Sequence, residues 1–194
     1  MIYKIAIFGS NASADEKRDE LPESLVKEFG VIFGKISAVI ITGACSGIPY
    51  QVAFQASKNN CEIWGYSPEI DFKHQKEFTP RDDLSIYTKL IYTPQSFPLA
   101  ENSKARKKYR NVLSTAECDA GIIISGRWGT MNEFTNLFDM GKVIGVLTGV
   151  GGIADELPRL MKKIHKKSKA KIFFSHSPKI LIDMLMKELK LRYL

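Results

Sequence analysis

The sequence predicts an α/β fold: a single Rossmann-like domain over residues 1–194, with a mostly parallel sheet and helices on both faces. Three observations lead there. Short, β-branched apolar runs alternate along the chain with stretches that are apolar at helical spacing, the pattern of successive βα units. Four glycine-bearing turns, at 9–10, 43–47, 126–130 and 149–152, each follow one of the short runs, which places them on one edge of a parallel sheet. The chain has 194 residues, 44% hydrophobic and 25% charged, an ordinary globular composition with length enough for one sizeable core.

The elements follow in order. Residues 2–8 alternate strong β formers and stop at Gly9-Ser10-Asn11, a turn sequence. A polar loop from Ser13 to Glu20 leads to a helix that starts near Pro22 and carries Leu25, Phe29, Ile32 and Phe33 at helical spacing. Ala38-Val39-Ile40-Ile41 is a second buried strand, ending at Thr42-Gly43-Ala44-Cys45-Ser46-Gly47. A helix through Val52, Phe54 and Ala56 and a third strand at 61–66 complete a βαβαβ unit. Residues 67–95 break the rhythm with Pro68, Pro80 and Pro94. This excursion reads as a lid, an edge strand or both, with a short strand at Ser85-Ile86-Tyr87. A helix over about 99–116 carries Tyr109, Val112, Leu113 and Ala116 as its apolar stripe, and Arg110 lies off that stripe. Ala120 to Ile124 is a strand, and Phe134, Leu137, Phe138 and Met140 mark the helix after the next turn. Val143 to Leu147 is a strand, followed by a helix carrying Ile153, Leu157, Leu160, Met161 and Ile164. Lys171 to Phe174 is the last strand, and Ser177-Pro178 opens a terminal helix with Ile180, Leu181, Met184 and Leu185 inward.

Several function classes lose support at once. No apolar run reaches the roughly 18 residues that span a bilayer, and the first residues lack a basic leader and a small-residue cleavage site. Cys45, Cys61 and Cys118 are odd in number and have no paired-ligand spacing, so we expect a reduced, cytoplasmic setting and no metal site. The net charge of +7 is concentrated at residues 104–110 and 162–169. Solvated helix faces are the ordinary reading of such lysines, and both runs attract anions weakly.

The chemistry centres on Ser125-Gly126-Arg127-Trp128-Gly129-Thr130-Met131-Asn132-Glu133. Between a strand's carboxyl end and a helix's amino end, unpaired N–H groups and the helix dipole make an anion site. Walker and dinucleotide spacings are absent, which disfavours triphosphate hydrolysis and hydride transfer. Thr130 and Glu133, three apart at a helix start, fit a capping box. The functional alternative puts Glu133 beside the bound anion as a base or an acceptor for a sugar hydroxyl. On spacing alone Arg110 is an exposed cation and Asp119 a turn residue. Arg127 and Trp128 stack on a base or guard the mouth.

Together these residues resemble the LOG-like branch of the Rossmann-type SLOG superfamily, which includes the Lonely guy phosphoribohydrolases and proteins long labelled lysine decarboxylases. That signature is an Arg-Lys pair, an aspartate opening a strand, then Pro-Gly-Gly-x-Gly-Thr-x-x-Glu. Arg110-Asn111, Asp119-Ala120 and Ser125 to Glu133 stand at its spacing. Ile7-Phe8-Gly9-Ser10 and Thr42 to Pro49 resemble the family's earlier turns. Asn111 and Gly151-Gly152-Ile153-Ala154-Asp155 look closer to a subgroup related to the DNA-processing protein DprA, and the molybdenum-cofactor carriers are similar too.

The resemblance implies cleavage of the N-glycosidic bond of a nucleoside 5′-monophosphate to base and ribose 5-phosphate. Arg110 and Glu133 are then catalytic. Gly9, Ser10, Gly43, Gly47, Asn111, Ser125, Gly126, Arg127, Gly129 and Thr130 hold the nucleotide and its phosphate. No further cofactor and no metal are implied, and a homodimer is expected. Ser125 replaces the family's proline, Arg127 its second glycine and Asn111 its lysine. Glycine can take φ values at position 127 that an arginine avoids. These departures keep open a protein that binds a nucleotide or nucleotide cofactor without cleaving it, as a sensor or carrier. A DprA-like single-strand DNA binder ranks last, because Tyr109 is the only aromatic within the basic runs. Lysine decarboxylation has no support in the residues.

Overall fold

Each β-branched run finds a parallel neighbour. In the computed structural model, which describes residues 2–11 and 21–193, the strands are β1 (Tyr3–Gly9), β2 (Ala38–Thr42), β3 (Glu62–Tyr66), β4 (Lys89–Ile91), β5 (Ala120–Ile124), β6 (Val143–Leu147) and β7 (Lys171–Ser175). They form one sheet in the order β4-β3-β2-β1-β5-β6-β7, and every pairing is parallel. The predicted polar loop at 13–20 lies outside the described residues.

The helices are α1 (Glu23–Phe33), α2 (Ile48–Ser57), α3 (Phe72–Phe78), α4 (Ser103–Glu117), α5 (Trp128–Asp139), α6 (Gly152–Lys163) and α7 (Pro178–Arg192). One face of the sheet buries Phe29, Phe33, Val52, Leu181 and Leu185 from α1, α2 and α7. The other buries Phe134, Leu137, Ala154 and Leu157 from α5 and α6. β2, β5 and β6 are buried along their whole length, as strands covered on both faces must be. The chain winds outward from β1 to β4, then returns to the middle and winds the other way from β5. The order therefore reverses between β1 and β5, the topological switch point at which such sheets bind ligands.

Four expectations change. Ser85-Ile86-Tyr87 is no strand: Leu84–Ile86 is a 3-10 turn, because the Asp83 carboxylate accepts from Ser85 N–H at 3.0 Å. The edge strand comes later, at Lys89–Ile91, where it pairs with β3. The excursion at 67–95 thus supplies an edge strand. α4 begins at Ser103 behind an Asn102 N-cap, and its buried face is the polar set Arg110, Asn111, Ser114 and Thr115, while Val112 is 44% exposed. Its inner side meets a polar site as well as the core, so an apolar stripe does not report its orientation. α7 turns Leu181, Ile182, Leu185 and Leu189 inward and leaves Ile180 and Met184 exposed.

Candidate functional site

At the switch point the β1 and β5 turns are stitched together by side chains. Gly126 N–H donates to Ser10 Oγ at 3.0 Å, Ser10 Oγ and Ser125 Oγ lie 3.4 Å apart, and Thr130 Oγ1 donates to the Gly9 carbonyl at 3.1 Å. Ser125 is fully buried in the left-handed region with φ +54°. That conformation turns the chain sharply enough to start α5 at Trp128. A proline ring fixes φ near −65°, so the proline of the LOG-like signature cannot occupy this turn as built. Ser125→Pro is expected to cost on the order of 3 kcal/mol, read as a lowered urea midpoint with an unchanged slope. Arg127, at φ −126°, has extended backbone that any residue adopts; its Nη2 donates to the Asn11 carbonyl at 3.2 Å.

The fourth glycine turn acts from behind. Ile153 and Ala154 N–H donate to the Gly126 and Ser125 carbonyls at 2.7 and 3.2 Å. Gly152, at φ +64°, sits so close that a Cβ there would lie 2.5 Å from the Gly126 carbonyl oxygen. The Asp155 carboxylate holds the turn by accepting from Gly149 and Gly151 N–H at 2.6 and 2.8 Å. This turn braces the β5 turn and does not line the cavity.

A cavity of about 360 Å³ opens beside the stitched turns, within the range of small-molecule sites. Of the residues predicted to hold a ligand, Gly9, Ser10 and Gly43 line it from β1 and β2. Arg110 and Asn111 line it from α4, and Arg127, Gly129, Thr130 and Glu133 from α5. Gly47, Ser125 and Gly126 do not. Gly47 is the N-cap of α2, and the Gly126 N–H already serves Ser10. The lining also includes Lys104, Lys107 and Lys108. The basic run signalled them, yet the sequence did not show which way that helix face points.

Arg110 is 9% exposed and donates through Nη1 to the Gly43 carbonyl, while its buried Nε has no partner. It is no exposed cation. Glu133 is 7% exposed and makes no hydrogen bond or ion pair among the described residues. Burial raises its carboxyl to about pH 7, although Arg110 and Lys108 pull the other way. The capping box does not form: α5 starts at Trp128 with Arg127 as N-cap, so Glu133 falls in the second turn and Thr130 bonds to β1. Asn111 donates from Nδ2 to Asn132 Oδ1 at 3.0 Å, and its buried Oδ1 is unpartnered. Asp119 ties β1 and the C-terminus together, accepting from Lys4 N–H and Tyr193 Oη, each at 2.8 Å. Trp128 is 84% exposed beside the mouth. The first-turn N–H groups of α5 lack intrahelical acceptors, and the dipole there favours an anion.

The excursion holds the remaining wall. Gln75 of α3 donates from Nε2 to the Ala44 carbonyl at 3.0 Å and to Thr79 Oγ1 at 2.9 Å. Ser46 Oγ donates to Asp82 at 2.8 Å. Ala44 itself has φ +47°, so the β2 turn is kept in an uncommon conformation by groups from residues 67–95.

Among solved structures, the chain is similar to the structural-genomics target TM1055, with a TM-score of 0.76 and 14% identity over 95% of this chain and 99% of that one. It is similar to the molybdenum cofactor binding protein of Rippkaea orientalis, with a TM-score of 0.66 and 14% identity over 97% and 98%. The third is DNA processing protein A of Streptococcus pneumoniae, with a TM-score of 0.62 and 16% identity over 94% of this chain and 61% of that one. At such identities these likenesses establish a shared fold. No curated protein matches the sequence significantly. Among the described residues no helix is long and apolar enough to cross a membrane. The model of the SLOG cluster4 family matches residues 2–182, nearly the whole chain, and the protein belongs to that family.

Proposed function

We propose that the protein binds a nucleotide or a nucleotide-bearing cofactor at the switch point and releases it intact, as a carrier or sensor. The observation that carries this reading is a pair of buried polar atoms left without partners at one cavity, Arg110 Nε and Asn111 Oδ1, beside the largely buried side chain of Glu133. Buried polar groups are otherwise nearly always satisfied, and a ligand with both donors and acceptors satisfies them. The phosphate sits at the first turn of α5 with Arg110, and Glu133 and Asn111 take the ribose hydroxyls. The molybdenum cofactor binding protein, which shares the fold, supports a role in binding over one in cleavage.

Glu133 favours a second reading, hydrolysis of the N-glycosidic bond. A carboxyl raised to about 7 is poised to exchange a proton near neutrality. In that reaction Arg110 orients the ribose phosphate and Glu133 assists the attack of water on the anomeric carbon. Overnight incubation with AMP, GMP, CMP and UMP, followed by chromatography, separates the two. The carrier reading expects every nucleotide to be recovered intact while at least one raises the melting temperature. Free base above the level of a Glu133→Ala control assigns the hydrolase instead.

A further inference from the structure

α4 carries more positive charge into the cavity than one phosphate uses. Lys104, Lys107, Lys108 and Asn111 stand at i, i+3, i+4 and i+7, and all four line the cavity with Arg110. This single helical stripe leads from the buried arginine out to the rim, roughly 9 Å along the axis from residue 110 to residue 104. The lysines are unspent. None of the three makes an ion pair among the described residues, and only Lys107 has a partner, the Phe78 ring at 5.2 Å. Arg106, one turn away on another side of the same helix, is by contrast neutralised by Glu69 at 2.9 Å. Glu133 is the only carboxylate among the described lining residues. The inner end of the stripe is a built site, because Arg110 is nine-tenths buried with an unpartnered Nε.

We propose that the ligand is a small nucleotide carrying at least two linked phosphates, one held by Arg110 and the first turn of α5, the next by Lys107 and Lys108. The proposal rests on the nucleotide-binding reading and adds the phosphate count. A monophosphate leaves the lysines facing solvent, whereas a diphosphate meets them in a partly enclosed site where Coulomb attraction is less screened than in bulk water.

Titration calorimetry at 0.15 M salt tests this with the pairs AMP/ADP, GMP/GDP, CMP/CDP and UMP/UDP. In the best-bound pair the diphosphate is expected to bind at least tenfold more tightly. The double variant Lys107→Ala, Lys108→Ala, whose folding is checked by circular dichroism, should remove most of that preference while changing monophosphate affinity by less than threefold. Equal affinity within every pair, or a variant that weakens both members alike, overturns the phosphate count and leaves nucleotide binding standing. If no nucleotide binds the wild type, the binding reading itself falls. A ten-residue oligothymidylate that binds more tightly than any diphosphate, with a steep salt dependence, also overturns the proposal and makes the stripe a nucleic-acid track.

Discussion

Glu133→Gln is expected to be more stable than the wild type at pH 8, by about 3 kcal/mol, even though it damages the site. Burial raises the carboxyl from its ordinary 4.5 to about 7, so the native state binds this proton more tightly than the unfolded chain does. The sign follows. Below pH 4.5 the group is protonated in both states and contributes no difference. As pH rises from 4.5 towards 7 the unfolded chain releases its proton first, and the wild type loses stability. Above 7 the full cost is present, because the fold then holds a buried, unpartnered carboxylate. Glutamine has the same shape and no charge to desolvate. Thermal melts of both proteins from pH 4 to pH 8.5 should converge at the acid end and separate by several degrees at the basic end. A stabilising substitution at a buried carboxylate marks a group retained for its chemistry and not for the fold.

Gly43→Ala is expected to reduce ligand affinity at least tenfold while the protein still folds. A Cβ at this position would collide with Arg110 Nη1, so the guanidinium must leave the Gly43 carbonyl that orients it. The clash is with the end of a flexible side chain, and Arg110 can swing towards the cavity, which limits the folding cost to about 1–2 kcal/mol. Misplacing this buried cation weakens binding directly, because charge-assisted contacts depend on geometry. Comparing calorimetric affinity with the urea midpoint of the same variant separates the two effects.

Much of the architecture was legible. The strands on both sides of the switch point announced themselves through β-branched runs at 38–41, 120–124 and 143–147, and glycine marked where they end. The strand order was not, since parallel pairing leaves no local mark on which neighbour a buried strand takes. Within the site, the turn at 125–130 was readable as an anion-binding loop, but its internal bonds were not. Spacing made Thr130 and Glu133 a capping box, whereas the left-handed Ser125 starts the helix early and pushes Glu133 one turn in. Ser125 and Gly126 were read as phosphate ligands; they lie outside the cavity lining and, with the fourth glycine turn behind them, bond to the residues that frame it. α4 misled most. Its apolar stripe at Tyr109, Val112 and Leu113 implied that Arg110 faced water, but a helix lining a polar site turns its polar residues inward. Leu113 of the stripe does pack against the core, and amphipathic periodicity cannot register the buried polar face beside it.

A crystal structure of the protein grown with ADP tests the central claim most directly. Nucleotide density in the cavity is expected, with one phosphate within hydrogen-bond distance of Arg110 and the first turn of α5, and the ribose hydroxyls next to Glu133 and Asn111. An empty cavity with nucleotide bound at another surface, at concentrations that saturate binding in solution, would contradict it.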